Sequence, residues 1–177
     1  MVSDGSFFQS SQQSVAAFIL GNEAAHRRII GRCHIIGPTS AHSAYRAELA
    51  GLHGGLTFLS ALCKIHQLNS GHIIVACDNK GALQRIVRGN IKPQGKNFDY
   101  LSAIVNIVDE LPIKISFTHV EGHRDRHTTL DNLTVLESMI VQADIHARIK
   151  ASIPTPAEIL RLNTVRSAHI FSTIRHN

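Results

Sequence analysis

Acidic residues are scarce in this sequence, and tryptophan is missing. Thirteen Asp and Glu stand against 18 Lys and Arg, a formal net charge of +5, and aromatics make up 5% of the 177 residues. The basic excess favours a polyanionic partner and makes any gathering of acids conspicuous. Cysteine is sparse as well. Cys33, Cys63 and Cys77 lie far apart in apolar stretches, with no C-x-x-C. They read as buried free thiols in a reducing compartment rather than as a disulfide frame or a zinc site. No apolar run nears the roughly 20 residues that cross a bilayer, so no membrane partner is expected. The N-terminus has no basic segment followed by a hydrophobic one. No signal peptide is therefore expected, and the predicted location is intracellular, cytoplasmic or nuclear. Internal repeats and low-complexity tracts are absent too.

What is present is a globular composition, 44% hydrophobic and 18% charged, in a chain long enough for one good core. The stretches "SVAAFIL" (14–20) and "IIGRCHII" (29–36) predict two strands, joined through a bridge containing Gly21 and Asn22. "MVSDG" predicts the end of a strand pairing with them. Leu49, Leu52, Leu56, Leu59 and Cys63 recur at helical spacing and predict a helix from 43 to 66. Gly51, Gly54 and Gly55 cost that helix about 1 kcal/mol each relative to Ala, which points to close packing on a sheet. "GHIIVACD" (71–78) reads as a central strand ending in an acid. Short and long helices follow at 79–87 and 98–111, then a strand at 113–120. Leu130, Leu133, Leu136, Ile140, Ala143 and Ala147 predict a last helix to about 150. An initial meander followed by alternating helices and strands implies an α/β domain with a mixed sheet.

Four acids occupy telling places in this order. Asp4 ends the first strand, Glu48 lies in the first turns of the long helix, Asp78 ends the central strand, and Asp144 lies on the last helix. Alone, Asp4-Gly5 reads as a hairpin turn and Glu48 as a solvated helix residue. Together they are acids in apolar stretches, where an ionised carboxylate needs a partner or a metal. Oxygen-only ligand sets select Mg²⁺ or Mn²⁺. Two such ions about 3.5–4 Å apart suit phosphodiester cleavage.

The sequence resembles the ribonuclease H family, and most of all the RNase H domains of retroelement polyproteins. The resemblance rests on "SDGS" (3–6), "AYRAELAGL" (44–52), "ACDN" (76–79), "THVEGHRDRH" (118–127) and "MIVQADIHA" (139–147), in family order. It implies a five-stranded mixed sheet, a three-strand antiparallel meander plus parallel strands, with helices on both faces. It assigns residues 1–150 to the RNase H-like domain and leaves 151–177 as a C-terminal tail or linker. The implied activity is hydrolysis of the RNA strand of an RNA–DNA hybrid with two Mg²⁺ ions, for which Mn²⁺ can substitute. Asp4 would bridge both ions, Glu48 and Asp78 would complete one site, and Asp144 the other. A reverse transcriptase module of the same polyprotein is the implied partner.

His119, His123 and His127 recur every four residues, a zinc spacing on a helix, but Gly122 and the preceding strand argue against a helix there. By resemblance, His127 is the mobile loop histidine that moves a proton or releases product, and His123 the structural one before it. Lys80, Arg85, Arg88, Lys92 and Lys96 form a basic stretch after Asp78. It reads as a phosphate-binding surface or as a solvated face. Ser6 and Asn79, beside two of the acids, are candidates to touch the RNA ribose or phosphate.

Three features depart from the family pattern. Only Met1, Val2 and Ser3 precede the first acid, as expected of a chain cut from a longer polyprotein. Tryptophan is absent, and the tail 151–177 has no family counterpart. The alternatives to an active enzyme are a degenerate nucleic-acid-binding or structural domain, or another nuclease or recombinase on the same fold.

Overall fold

The computed structural model describes residues 1–22, 27–35, 38–89, 91–151 and 171–172. Three antiparallel strands come first: β1 (Val2–Phe8), β2 (Gln13–Gly21) and β3 (Arg28–His34). β1 and β2 pair over seven residues, with Asp4 opposite Ala17. Their connection closes with Gln12 in the left-handed region, φ 53°, and its side-chain amide donates to the Gln9 carbonyl at 2.8 Å. β1 also pairs in parallel with β4 (His72–Cys77), which pairs in parallel with β5 (Lys114–His119). The order is β5-β4-β1-β2-β3, the expected meander plus parallel strands. A sixth strand, β6 (Phe171–Ser172), is added at the β3 edge. Apart from Ala151 and these two residues, the expected tail lies outside the described residues.

The first strand differs from expectation. Asp4 does not end it. β1 runs on through Phe8, so Asp4-Gly5-Ser6 is mid-strand and makes no turn. The reason is pairing: β2 supplies a partner for every residue from Val2 to Phe8, and this outweighs the local turn preference of Asp-Gly. Only Val2 and Ser3 have register partners in β4. There, the Met1 amino group donates to the Ile74 carbonyl at 2.7 Å.

Helices cover both faces. The first, α1 (Ala44–Ile65), starts at Ser43, whose hydroxyl accepts from the Arg46 N–H at 3.1 Å. Its Leu49, Leu52, Leu56, Leu59 and Cys63 are all buried, packed with Val75 and Cys77 of β4. Full burial contributes about 1.5–3 kcal/mol per Leu. α2 (Lys80–Arg88) and α3 (Phe98–Glu110) close the same layer. The opposite layer is α4 (Val135–Ala151), whose Met139, Ile140 and Ala143 pack on Val2, Ile19 and Ala76. Val75 and Cys77 face one layer and Ala76 the other, as strand alternation requires.

Leu130 and Leu133 do not belong to α4, contrary to expectation. Residues 130–132 form a single tight turn, and α4 begins at Val135. Thr134 and Glu137 stop the helix from extending further back. The Thr134 N–H donates to a Glu137 oxygen at 2.8 Å, and the Glu137 N–H donates to the Thr134 hydroxyl at 3.3 Å. This reciprocal pair defines the start of the helix.

Candidate active site

Asp4 on β1, Glu48 on α1, Asp78 just after β4 and Asp144 on α4 are near enough for charge to be felt between them: Asp78 and Asp144 act on Asp4, Asp4 and Asp78 on Glu48, and Asp144 on Asp78. Glu48 approaches because α1 lies unusually close to β1. A Cβ placed on Gly5 would meet the Ala47 carbonyl carbon at 2.2 Å and the Glu48 nitrogen at 2.3 Å. Only glycine permits that approach. Gly51 and Gly55 of the helix serve the same contact from the other side, as expected of them: a Cβ on Gly55 would meet Met1 Sδ at 2.6 Å.

The acids perturb one another. Asp4 is only 5% exposed and Glu48 only 7%. Burial, then the neighbouring Asp78 and Asp144, pushes the Asp4 carboxyl up to about 8, against a stabilising hydrogen bond from the Gly5 N–H. Burial, then Asp4 and Asp78, holds Glu48 well above the usual carboxylate range. Asp78 follows β4 directly and is raised mainly by burial. His123 and His119 oppose that rise, and Asp144 adds to it. The His119 ring nitrogen Nε2 lies 3.0 Å from the Asp78 carbonyl oxygen. Gly122 makes room for the Asp78 side chain, since a Cβ there would sit 2.4 Å from Oδ2. Neighbouring carboxylates in a buried place disfavour one another's ionised form, and a cation between them relieves this.

Further side chains hold the acids in place. The Cys77 thiol donates to Glu48 Oε2 at 3.6 Å and accepts from the Asn79 N–H at 3.3 Å. Burial, then Glu48, raises it far above the ordinary thiol range, so it is protonated at neutral pH. Arg148 grips Asp144 with both arms of its fork, at 3.0 and 2.8 Å. The i, i+4 spacing on α4 was the sign of that pair. Arg124 joins the histidine loop to the start of α4 through Glu137 at 3.1 Å.

The expected substrate contacts are spread more widely. Ser6 is half-buried on β1, opposite Val15. The Asn79 side-chain oxygen caps α2, accepting from the Ala82 N–H at 3.0 Å. Lys80 and Arg88 are exposed on α2. Arg85 lies 5.6 Å over the Tyr45 ring and joins Lys92 and Lys96 around a cleft of about 390 Å³, floored by Ile91, Phe98 and Leu101. His127 is exposed at the end of the turn Arg124–Arg126, its N–H on the Arg124 carbonyl at 3.0 Å. Of the three loop histidines, His123 and His119 are the ones whose charge bears on Asp78.

The sheet order and the carboxylates at the β1–β4 junction meet a set of solved structures. The N-terminal RNase H domain of a Mycobacterium tuberculosis protein is 13% identical at a TM-score of 0.55, covering 85% of this chain and 97% of that one. The prototype foamy virus RNase H domain is 18% identical at 0.52, covering 84% and 90%. This chain has the ribonuclease H fold. A prototype foamy virus protease–reverse transcriptase, 16% identical at 0.50, is matched over 87% of this chain and 21% of its own length. No family model and no curated protein matches the sequence.

The donor set on the RNase H fold suits a hard divalent cation. It offers carboxylate oxygens, those of Asp4 and Glu48 buried, and the one sulfur is a protonated thiol. Ligand atoms of Glu48, Cys77 and Asp78 all lie within 4.8 Å of one another. No helix among the described residues is long and apolar enough to cross a membrane.

Proposed function

We propose that this chain is a divalent-metal-dependent endoribonuclease that hydrolyses the RNA strand of RNA–DNA hybrids, and that it derives from a retroelement reverse transcriptase polyprotein. The observation that carries this is that Asp4 and Glu48 are buried in an RNase H fold and raised by burial and by neighbouring carboxylates, Asp78 and Asp144 at Asp4 and Asp4 and Asp78 at Glu48. The retroelement origin rests on the motif resemblance and on the fold shared with foamy virus structures.

Asp4 would ligate both Mg²⁺ ions, Glu48 and Asp78 would complete the set for one, and Asp144 for the other. Mg²⁺, or Mn²⁺ in its place, would supply positive charge to activate a water and stabilise the leaving oxygen of a phosphodiester. Arg148 holds Asp144 in place. A histidine of the 119–127 loop carries the proton to the leaving group. The sequence motif favours His127, while proximity to Asp78 favours His123. Ser6, Asn79, Lys80, Arg85 and Arg88 hold the hybrid by its backbone, since shape rather than sequence is read. Free thiols at Cys63 and Cys77 suit a reducing intracellular compartment.

The test is cleavage of a labelled RNA–DNA hybrid, with single-stranded RNA, duplex RNA and duplex DNA as controls. Mg²⁺-dependent cutting of the hybrid alone is expected, abolished by EDTA and by Asp78→Asn. Folded protein that cuts nothing would leave a binding domain. Cutting of duplex DNA would point to a recombinase-like enzyme.

A further inference from the structure

The Cys77 thiol stands inside the carboxylate cluster, where the proposed nuclease chemistry gives it no role. Its sulfur is 3.6 Å from Glu48 Oε2. Two ligands of one tetrahedral zinc, a sulfur at about 2.3 Å and an oxygen at about 2.0 Å, stand roughly 3.5 Å apart. Asp78 completes the group, with all three ligand atoms within 4.8 Å. A second polar group borders the same place. Ser3 is the register partner of Cys77 across the β1–β4 pair, so both side chains leave the sheet on the α1 face. That face is where Glu48 sits, and a Cβ on Gly51, one turn further along α1, would meet Ser3 Cβ at 3.2 Å. The Ser3 hydroxyl is fully buried and has no hydrogen-bond partner.

We propose that Glu48, Cys77 and Asp78 form a binding site for a thiophilic divalent ion, Zn²⁺ or Cd²⁺, that competes with Mg²⁺ for the same carboxylates. Mg²⁺ is a hard ion and takes oxygen ligands, so it leaves the thiol as a hydrogen-bond donor to Glu48. A thiophilic ion forms a metal–sulfur bond as the S–H bond breaks, and the proton passes to solvent. The bound ion then holds Glu48 and Asp78 in a tetrahedral arrangement with a remaining position for water or the Ser3 hydroxyl. The consequence is a protein that Zn²⁺ occupies tightly and withdraws from Mg²⁺-dependent work.

The experiment is a Cd²⁺ titration of the full chain without Mg²⁺, read by sulfur-to-metal charge-transfer absorption in the near ultraviolet. One equivalent of Cd²⁺ per chain should produce the band. The double variant Cys33→Ser, Cys63→Ala should keep it, and Cys77→Ser should lose it. Circular dichroism of Cys77→Ser establishes that the variant is folded. Glu48→Gln, which keeps the thiol, should weaken Zn²⁺ binding by about 10-fold or more, as should millimolar Mg²⁺. A band that survives Cys77→Ser, or its absence in the unmodified chain, overturns the site. Zn²⁺ binding indifferent to both Glu48→Gln and Mg²⁺ overturns the shared carboxylates. These readouts are of binding, so they stand apart from whether the chain cuts hybrids.

Discussion

At the scale of single residues, Gly5 decides how close Glu48 comes to Asp4. The space a methyl group would need is filled by the backbone of Ala47 and Glu48. Backbone cannot rotate away as a side chain can, so Gly5→Ala must push α1 off the sheet. We expect it to cost at least about 1–3 kcal/mol in urea unfolding, and to weaken Mg²⁺ binding as Glu48 retreats. Unchanged stability would mean that the helix shifts freely. Sequence reading met Gly5 only as half of a turn signal. The chemical identity of the four acids was legible because they are scarce and stand at ordered places. Arg148 was legible beside Asp144 through its i, i+4 spacing, but Cys77 was not legible beside Glu48, because only the packing of α1 on β4 brings the thiol to that carboxylate.

At the scale of elements, α4 carries Asp144 and is fixed at its start by Thr134 and Glu137. Thr134→Ala removes the hydroxyl cap, at a cost of ~1 kcal/mol, or about 2–4 °C in Tm for a chain of this size. Calorimetry would check this. The T-x-x-E signature of that start was readable in the sequence, yet Leu130 and Leu133 continue the apolar spacing and masked it. Hydrophobic period marks a helix well but marks its ends badly. α2 and the loop after it hold the basic stretch. If Arg88 and Lys92 touch phosphates, neutralising both should reduce the salt dependence of hybrid binding by a slope of about one to two. A slope that does not change would make them solvated charges. For Arg85, Lys92 and Lys96 the tertiary structure adds a fact no spacing shows, that they gather round one cleft.

At the scale of the whole molecule, the acid cluster couples folding to pH and metal. In the unfolded chain Asp4 titrates near 3.9. In the folded protein burial and its neighbours raise it to about 8. Below pH ~4 the carboxyl is protonated in both states, and its contribution to stability is fully present. As pH rises toward 8 the unfolded chain loses the proton and the folded one keeps it, so stability is lost across that window. Glu48 and Asp78 are shifted in the same direction. Metal-free protein should therefore lose stability from pH 5 to 8 faster than Asp4→Asn does. Added Mg²⁺ should raise the Tm of the unmodified chain more at pH 8 than at pH 5. Parallel melting curves for the two proteins across this range would contradict the coupling.

The sequence by itself determined the first five strands, the four helices and their order, because apolar period and turn residues act over a few neighbouring positions. It determined, too, that four acids lie in apolar surroundings, which is a matter of composition along the chain. Only the tertiary structure decided that Asp4 is mid-strand. Seven pairings with β2 lie beyond the local range in which Asp-Gly favours a turn. Tertiary structure alone also placed a thiol against Glu48. Contacts of that kind depend on how layers stack, and their energies come from burial and mutual charge rather than from sequence spacing.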